Sequence, residues 1–435
     1  MMIRIALFLL ALATPLRAEI AIQEVTSPGG IKAWLVEDHG IPFTALEIRF
    51  QGGTSLDAPG KRGAVNLMTA LIEEGAGDLD SQGFAAARDA LAAEFSFSSD
   101  QDGVSVSTRF LTENRDQAMA LLQQALVAPR FDQVAVDRVR AQVLSGLRYD
   151  EKDQGAIASN LARARSFGTH PYATVGDGTM ASVTALTRDD IVAAFAASVA
   201  RDRITVAAAG DITAAELGAL LDNVLGGLPA TGGPQPGRAD MVIKSGIKVQ
   251  DFPGPQSVVL FGHGGIRFDD PDYFAASLLN EIFGGGRFGA RLMTEVREKR
   301  GLTYGIGTGL ASYDHSESLV GQFQASNDKV AAAIDVIRAE WAKIATDGVT
   351  EEELATAKTY MTGSYPLRFD GNGTIASILV GMQIMGLTPD YPKTRNARVE
   401  AVTMADMKRV AARLFKPGNL AFIVVGEPVG VTATE

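Results

Sequence analysis

Imidazoles are the natural place to look for chemistry in this 435-residue chain, and it has four: His39, His170, His263 and His315. A zinc site on one helix needs two of them at i and i+4, so that both rings leave the same face. No two of these four lie within five positions of one another. A site assembled from distant parts of a fold leaves no mark in sequence, so each reads as a solvated or hydrogen-bonded side chain. Cys is absent altogether, which removes thiolate ligands, thiol nucleophiles, disulfides and a lipid-anchoring cysteine. Glu73 and Glu74 are adjacent, and neighbours on a helix diverge by about 100°, so they do not share a ligand. Gly284-Gly285-Gly286-Arg287-Phe288-Gly289 fits G-x-G-x-x-G, but it follows an apolar helical run rather than a strand. About twenty residues further on stands Tyr304 rather than an acid, so the stretch reads as a loop opening a helix and not as a dinucleotide site. The charged run Arg297-Glu298-Lys299-Arg300 reads, taken alone, as a solvated helix end. Gly301 would stop that helix and leave Tyr304 on the strand beyond.

The elements that must position these groups begin after a leader. Residues 1–18 run from Arg4 through apolar Ile5 to Ala13 and end at Ala18, the layout of a cleavable secretory signal cut after Ala18. No later segment has the eighteen or more apolar residues of a membrane helix, so a periplasmic or secreted chain without an integral membrane segment is expected. With 46% hydrophobic residues there is apolar material for two or more domains without disulfides. The net charge of −11, more negative still once Arg4 and Arg17 are removed, argues against nucleic acid or anionic lipid as partner.

A Gly/Pro-rich stretch from Gly226 to Gly237 reads as a linker. The expected division is therefore 19–227, a linker at 228–241, and 242–435. The two parts look like copies. Thr187 opens a capped helix leading to a buried strand that ends at Gly210-Asp211, and Thr403 does the same for a strand ending at Gly426-Glu427, each pair 23 positions apart. Further helices, Ser81 to Glu94 and Asn114 to Val127, alternate with strands at Gly103 to Phe110 and Leu319 to Gln324. The fold class is α+β, two homologous α+β domains related by internal duplication and joined by the Gly/Pro-rich linker.

Several stretches carry a family likeness: Gly63-Ala64-Val65-Asn66-Leu67-Met68-Thr69-Ala70-Leu71-Ile72, His170-Pro171-Tyr172, Gly210-Asp211 and, most specifically, Glu295-Val296-Arg297-Glu298-Lys299-Arg300-Gly301-Leu302-Thr303-Tyr304. Over nearly its whole mature length the chain resembles the insulinase (pitrilysin) zinc peptidases. Active members carry an inverted H-x-x-E-H motif on a helix of the first half, with the Glu as general base on the metal's water and a further Glu downstream as third ligand. Laid on this sequence, the resemblance puts Asn66, Thr69 and Ala70 where His, Glu and His belong, and Gly146 at the third ligand. It also implies that Arg297 and Tyr304 hold the peptide backbone and stabilise the oxyanion, chemistry suited to guanidinium and phenol donors. Zinc ligands and base are thus replaced, while the Arg/Tyr pair is kept. The resemblance implies a non-catalytic, substrate-binding subunit of a heterodimeric periplasmic zinc endopeptidase acting on peptides. Such a chain binds no cofactor of its own and works beside a homologous partner that holds the Zn. The alternative is a peptide-binding or scaffold protein of the cell envelope with no hydrolytic role. N-terminal sequencing of the exported chain is expected to begin at Glu19, and an exported product still starting at Met1 would refute the leader reading.

Overall fold

The computed structural model describes residues 20–434, and the expected leader lies outside them. In the first half, strands β1 (Gln23–Thr26), β2 (Lys32–Glu37), β3 (Phe43–Gln51), β4 (Gly75–Ala76), β5 (Leu79–Asp80), β6 (Glu94–Ser99), β7 (Gly103–Leu111) and β8 (Ile204–Gly210) appear in chain order. Six of them form a sheet ordered β1-β2-β8-β3-β7-β6, and β4 pairs only with β5. The second half contributes β9 (Gly246–Gln250), β10 (Gln256–Gly264), β11 (Ile306–Ser312), β12 (Glu317–Ser326) and β13 (Ala421–Val425), in a sheet ordered β11-β12-β10-β13-β9. All ladders are antiparallel except β2 with β8 and β9 with β13. Between β7 and β8, and again between β12 and β13, run five α-helices. The fold is mixed α+β in two domains, as the alternation of elements led one to expect. Among the described residues no helix is long and apolar enough to cross a membrane.

Local chemistry accounts for the capped helix and buried strand found in each half. Thr187 and Thr403 each cap a helix, Arg188–Ser198 and Met404–Leu414, through a reciprocal box with Asp190 and Asp406. These helices deliver β8 and β13, whose residues are buried on both faces. On β8, Val206 and Ala208 face the core of their own half. Ala207 and Ala209 instead join Trp34, Val36 and Ala45 beneath Ala376, Leu379 and Val380 of helix Asn372–Ile384, which belongs to the second half. The exchange is mutual: Ile423 and Val425 of β13 pack with Ala158 of helix Gln154–Phe167 from the first half, while Phe422 and Val424 face their own core. Each sheet is therefore covered on one side by its own helices and on the other by a helix lent from its neighbour. The alanines of β8 leave room for close approach, and Gln383 of the lent helix donates to the Val206 carbonyl at 2.9 Å.

One expected helix is shorter than its pattern. Ser81 to Glu94 ends at Ala90, because Ala92 takes a left-handed φ of 49° and the Leu91, Ala92 and Ala93 amides close back on Arg88 and Asp89; Glu94 then begins β6. Residues 228–245 carry no helix or strand. They are nonetheless tied to both halves, by Gly233 to Ala197 (2.9 Å), Ala239 to His315 (2.8 Å) and Val242 to Ser166 (2.8 Å). The Leu379→Ala variant, at a fully buried position of the lent helix, is expected to lose about 2–5 kcal/mol and lower the urea midpoint. Val134→Ala, at an exposed position, should leave it within about 0.5 kcal/mol.

Candidate functional site

The helix that would bear the metal, Ala64–Leu71, is built as a firm platform. Gly63 enters it at φ 95°, and the buried carboxylate of Asp57 accepts from the amides of Gly63 and Val65, both at 2.8 Å, satisfying donors the helix itself cannot. Arg62 locks that carboxylate in place, 3.3 Å away, while bonding the carbonyls of Val175 (2.9 Å) and Thr174 (2.8 Å). Burial raises the Asp57 carboxyl despite these amides and the guanidinium. Val65, Leu67, Met68 and Leu71 of the helix enter the core. The chemistry on the platform is missing. Asn66 is half-buried and Ala70 exposed; Thr69 is buried, its hydroxyl donating to the Val65 carbonyl at 2.8 Å. Glu73 and Glu74 lie on the turn past the end of this helix rather than on it, and they part to Arg88 (3.0 Å) and Arg138 (3.0 Å) respectively. Gly146, exposed on helix Gln133–Asp150, has open space where a side chain would stand. These groups do not fit a zinc ion: two lack a side-chain donor, one hydroxyl is already committed, and an Asn amide alone is a poor ligand. Among the described residues no group of three or more His, Cys, Asp or Glu could hold a metal.

Arg297 sits on a π-helical turn, Met293–Glu298, anchored by buried Met293 and Val296. Gly301, at φ 58°, ends it by donating to the Arg297 carbonyl at 2.9 Å, as the sequence suggested. Glu295 holds Lys299 (2.6 Å) and Arg300 (2.7 Å), and those hydrogen bonds keep its carboxyl below the ordinary range. Arg297 makes no ion pair among the described residues; its guanidinium lies over the Phe288 ring, 4.8 Å from the centroid. Tyr304 is not on the strand, contrary to expectation. Thr303 bonds the carbonyls of Gln324 (2.6 Å) and Gly305 (3.0 Å), forming a turn that delays β11 until Ile306 and leaves Tyr304 88% exposed. Tyr304 borders a cavity of about 1020 Å³ between the second sheet and helix Gln154–Phe167, whereas Arg297 is not on that wall.

One constellation went unnoticed in the sequence. Tyr172 donates its hydroxyl to the buried carboxylate of Asp102 and accepts from the His315 amide at 3.2 Å, while the Asp314 amide donates to Asp102 at 3.2 Å. The contact joins the β6–β7 turn and the His170-Pro171-Tyr172 segment of one half to the β11–β12 turn of the other. The rings of His170 and His315 lie 6.0 Å apart beside it. His39 bonds Asp211 at 2.7 Å, and His263 packs on Trp341.

Residues 32–173 match the family model described as Insulinase (Peptidase family M16), and residues 185–361 match the Peptidase M16 inactive domain. The chain belongs to the insulinase family. A non-peptidase homologue, YmxG of Helicobacter pylori, is 26% identical over 396 residues, covering 89% of this chain and 90% of that one. The crystal structure of a peptidase M16 inactive domain from Pseudomonas fluorescens superposes with a TM-score of 0.88 at 28% identity, covering 96% of this chain and all of the other. A relative from Schizosaccharomyces pombe described as "Probable mitochondrial-processing peptidase subunit beta" is 23% identical over 72% of this chain and 71% of its own length. This insulinase-family chain is thus an M16 homologue of the non-peptidase kind, carrying an inactive M16 domain.

Burial pushes Asp102 up to about 6, against the lowering effect of the Tyr172 hydroxyl and with neighbouring Asp314 and Asp100 adding to the rise. Because the folded chain then holds a proton the unfolded chain has released, this group's contribution to stability falls between pH ~4 and ~6 and is flat above. Relative to an Asp102→Asn variant, the wild type should lose up to about 3 kcal/mol across that window, read from urea unfolding at stepped pH. A wild-type-minus-variant difference that does not change with pH would contradict it.

Proposed function

We propose that this insulinase-family chain is the non-catalytic, substrate-holding subunit of a periplasmic heterodimeric zinc endopeptidase. One observation carries the reading: the positions that the resemblance gives to the metal, Asn66, Thr69, Ala70 and Gly146, offer no zinc-binding set, while Arg297 makes no ion pair among the described residues and Tyr304 is exposed beside a peptide-sized cavity. A homologous partner would hold the zinc and its activated water. Arg297 and Tyr304 would present N–H and O–H donors to the scissile carbonyl as negative charge develops on its oxygen, where a preorganised donor lowers the barrier most. That the S. pombe relative is described as a peptidase subunit supports a paired state.

The test is reconstitution with an inverted-motif homologue encoded beside this chain. Arg297→Ala or Tyr304→Phe should lower kcat of the pair by about 10²–10³ without preventing assembly, measured on a quenched fluorescent peptide. Full peptidase activity of the single chain, or an Arg297→Ala pair as active as wild type, would sink the reading. Stable assembly with no hydrolysis of any peptide would favour the scaffold alternative.

A further inference from the structure

Five cations stand between positions 287 and 300, and four of them are committed to neighbours. Arg287 pairs with Glu281 and lies over the Tyr360 ring, 4.5 Å from its centroid. Arg291 holds Glu353 at 2.6 Å and the Gly348 carbonyl at 2.9 Å, and Lys299 and Arg300 share Glu295. The Arg297 guanidinium is the exception. Among the described residues it makes neither an ion pair nor a hydrogen bond, and what it lies over is the Phe288 ring. An ion pair would occupy its N–H groups with a carboxylate. An aromatic face instead attracts the cation through its quadrupole and supplies no acceptor oxygen, so the donors that a developing oxyanion needs stay open.

Phe288 is held in place by the residues around it rather than by its own burial. It is 64% exposed and joins none of the buried clusters of the described residues. The loop that carries it is fixed at both ends. At its start, Gly284 lies so close to β11 that a Cβ there would stand 2.9 Å from the Thr308 nitrogen, and the side chains of Asn280 and Thr308 bond at 2.9 Å. Arg287, clamped by Glu281 and Tyr360, directly precedes the ring, while Ala290 and Leu292 beyond it are buried. Arg297 has a support of its own in the π-turn, where the Lys299 amide donates to the Thr294 carbonyl, five positions back, at 3.0 Å. Turns of this kind are rare and gather at functional sites. Ring and guanidinium therefore meet between two fixed supports.

We propose that Phe288 is a positioning residue for Arg297, holding the guanidinium over its ring so that the N–H donors are aimed and unoccupied when the anionic oxygen forms. The inference rests on reading this chain as a subunit that lends Arg297 to a shared peptidase site, and it makes the pair, rather than Arg297 alone, the element that receives the charge. Because the contact depends on π electrons, an aromatic substitute preserves it and an aliphatic one of similar bulk does not. Because Phe288 acts through Arg297, it has nothing to act on once that side chain is gone.

NMR of the mature chain, labelled isotopically at arginine, reads the contact directly. The Arg297 Nε–H signal, assigned by its loss in Arg297→Lys, should be displaced by the Phe288 ring current. It should move to the position of a free guanidinium in Phe288→Leu and stay displaced in Phe288→Trp. In the reconstituted pair, Phe288→Leu should lower kcat about 3- to 30-fold with KM little changed, and Phe288→Trp should keep most of the activity. Added to Arg297→Ala, Phe288→Leu should slow the pair no further. A Phe288→Leu loss that persists in full on the Arg297→Ala background overturns the positioning role, as does an Arg297 signal that Phe288→Leu leaves unmoved. A Phe288→Leu effect confined to assembly also overturns it and makes the ring a docking contact for the partner. If Arg297→Ala abolishes activity while Phe288→Leu leaves kcat intact, the positioning role falls and the subunit reading stands. An Arg297→Ala pair as active as wild type sinks both.

Discussion

A β-sheet that buries apolar residues on both faces must find cover for both, and in this chain neither half can supply it alone. The helices between β7 and β8 cover one face of the first sheet; the other is closed only when helix Asn372–Ile384 arrives from the second half. The second sheet has the same need and is met by helix Gln154–Phe167. This reciprocal loan ties the halves together more firmly than the chain between them does. Ala207 and Ala209 on β8 make it possible, since bulkier residues there would hold the lent helix away from the sheet. The cavity that Tyr304 borders follows from that packing, because helix Gln154–Phe167 is itself one of its walls.

The site shows how a scaffold outlives its chemistry. Asp57 and Arg62 still fasten the start of helix Ala64–Leu71 with geometry that would suit a demanding function. Helix Gln133–Asp150 still packs against it, held by Arg138 on Glu74. What has changed are the few atoms that would meet a metal. Thr69 has turned its hydroxyl inward to the backbone, and Ala70 and Gly146 have none to offer. The other end of the molecule differs in kind: Arg297, without an ion pair among the described residues, rests over the Phe288 ring, and the Tyr304 phenol is exposed.

Much of this was legible along the sequence because it is local. The Thr187 and Thr403 boxes, the strands they deliver and the glycine stop at Gly301 each depend on residues a few positions apart. The exchanged helices were not legible, since nothing in Asn372–Ile384 says which sheet it will cover. Nor was the Asp102 and Tyr172 contact, whose partners are 70 positions apart, with His315 a further 143 away. Tyr304 was misplaced onto a strand because the turn that delays β11 depends on Thr303 reaching across to Gln324, a neighbour only after the sheet has formed. The replaced zinc-motif positions that the family likeness implies were readable only through it; without it, Asn66, Thr69 and Ala70 are three unremarkable residues on an apolar helix.

The central claim is that the metal half of the site has left this chain and resides in another. Zinc stoichiometry, measured by elemental analysis on the purified chain and on its complex with an inverted-motif homologue after equilibration with zinc and dialysis, tests it most directly. The account predicts no stoichiometric zinc in the chain alone and one zinc per complex, lost on treatment with chelator. One firmly held zinc per single chain would contradict it.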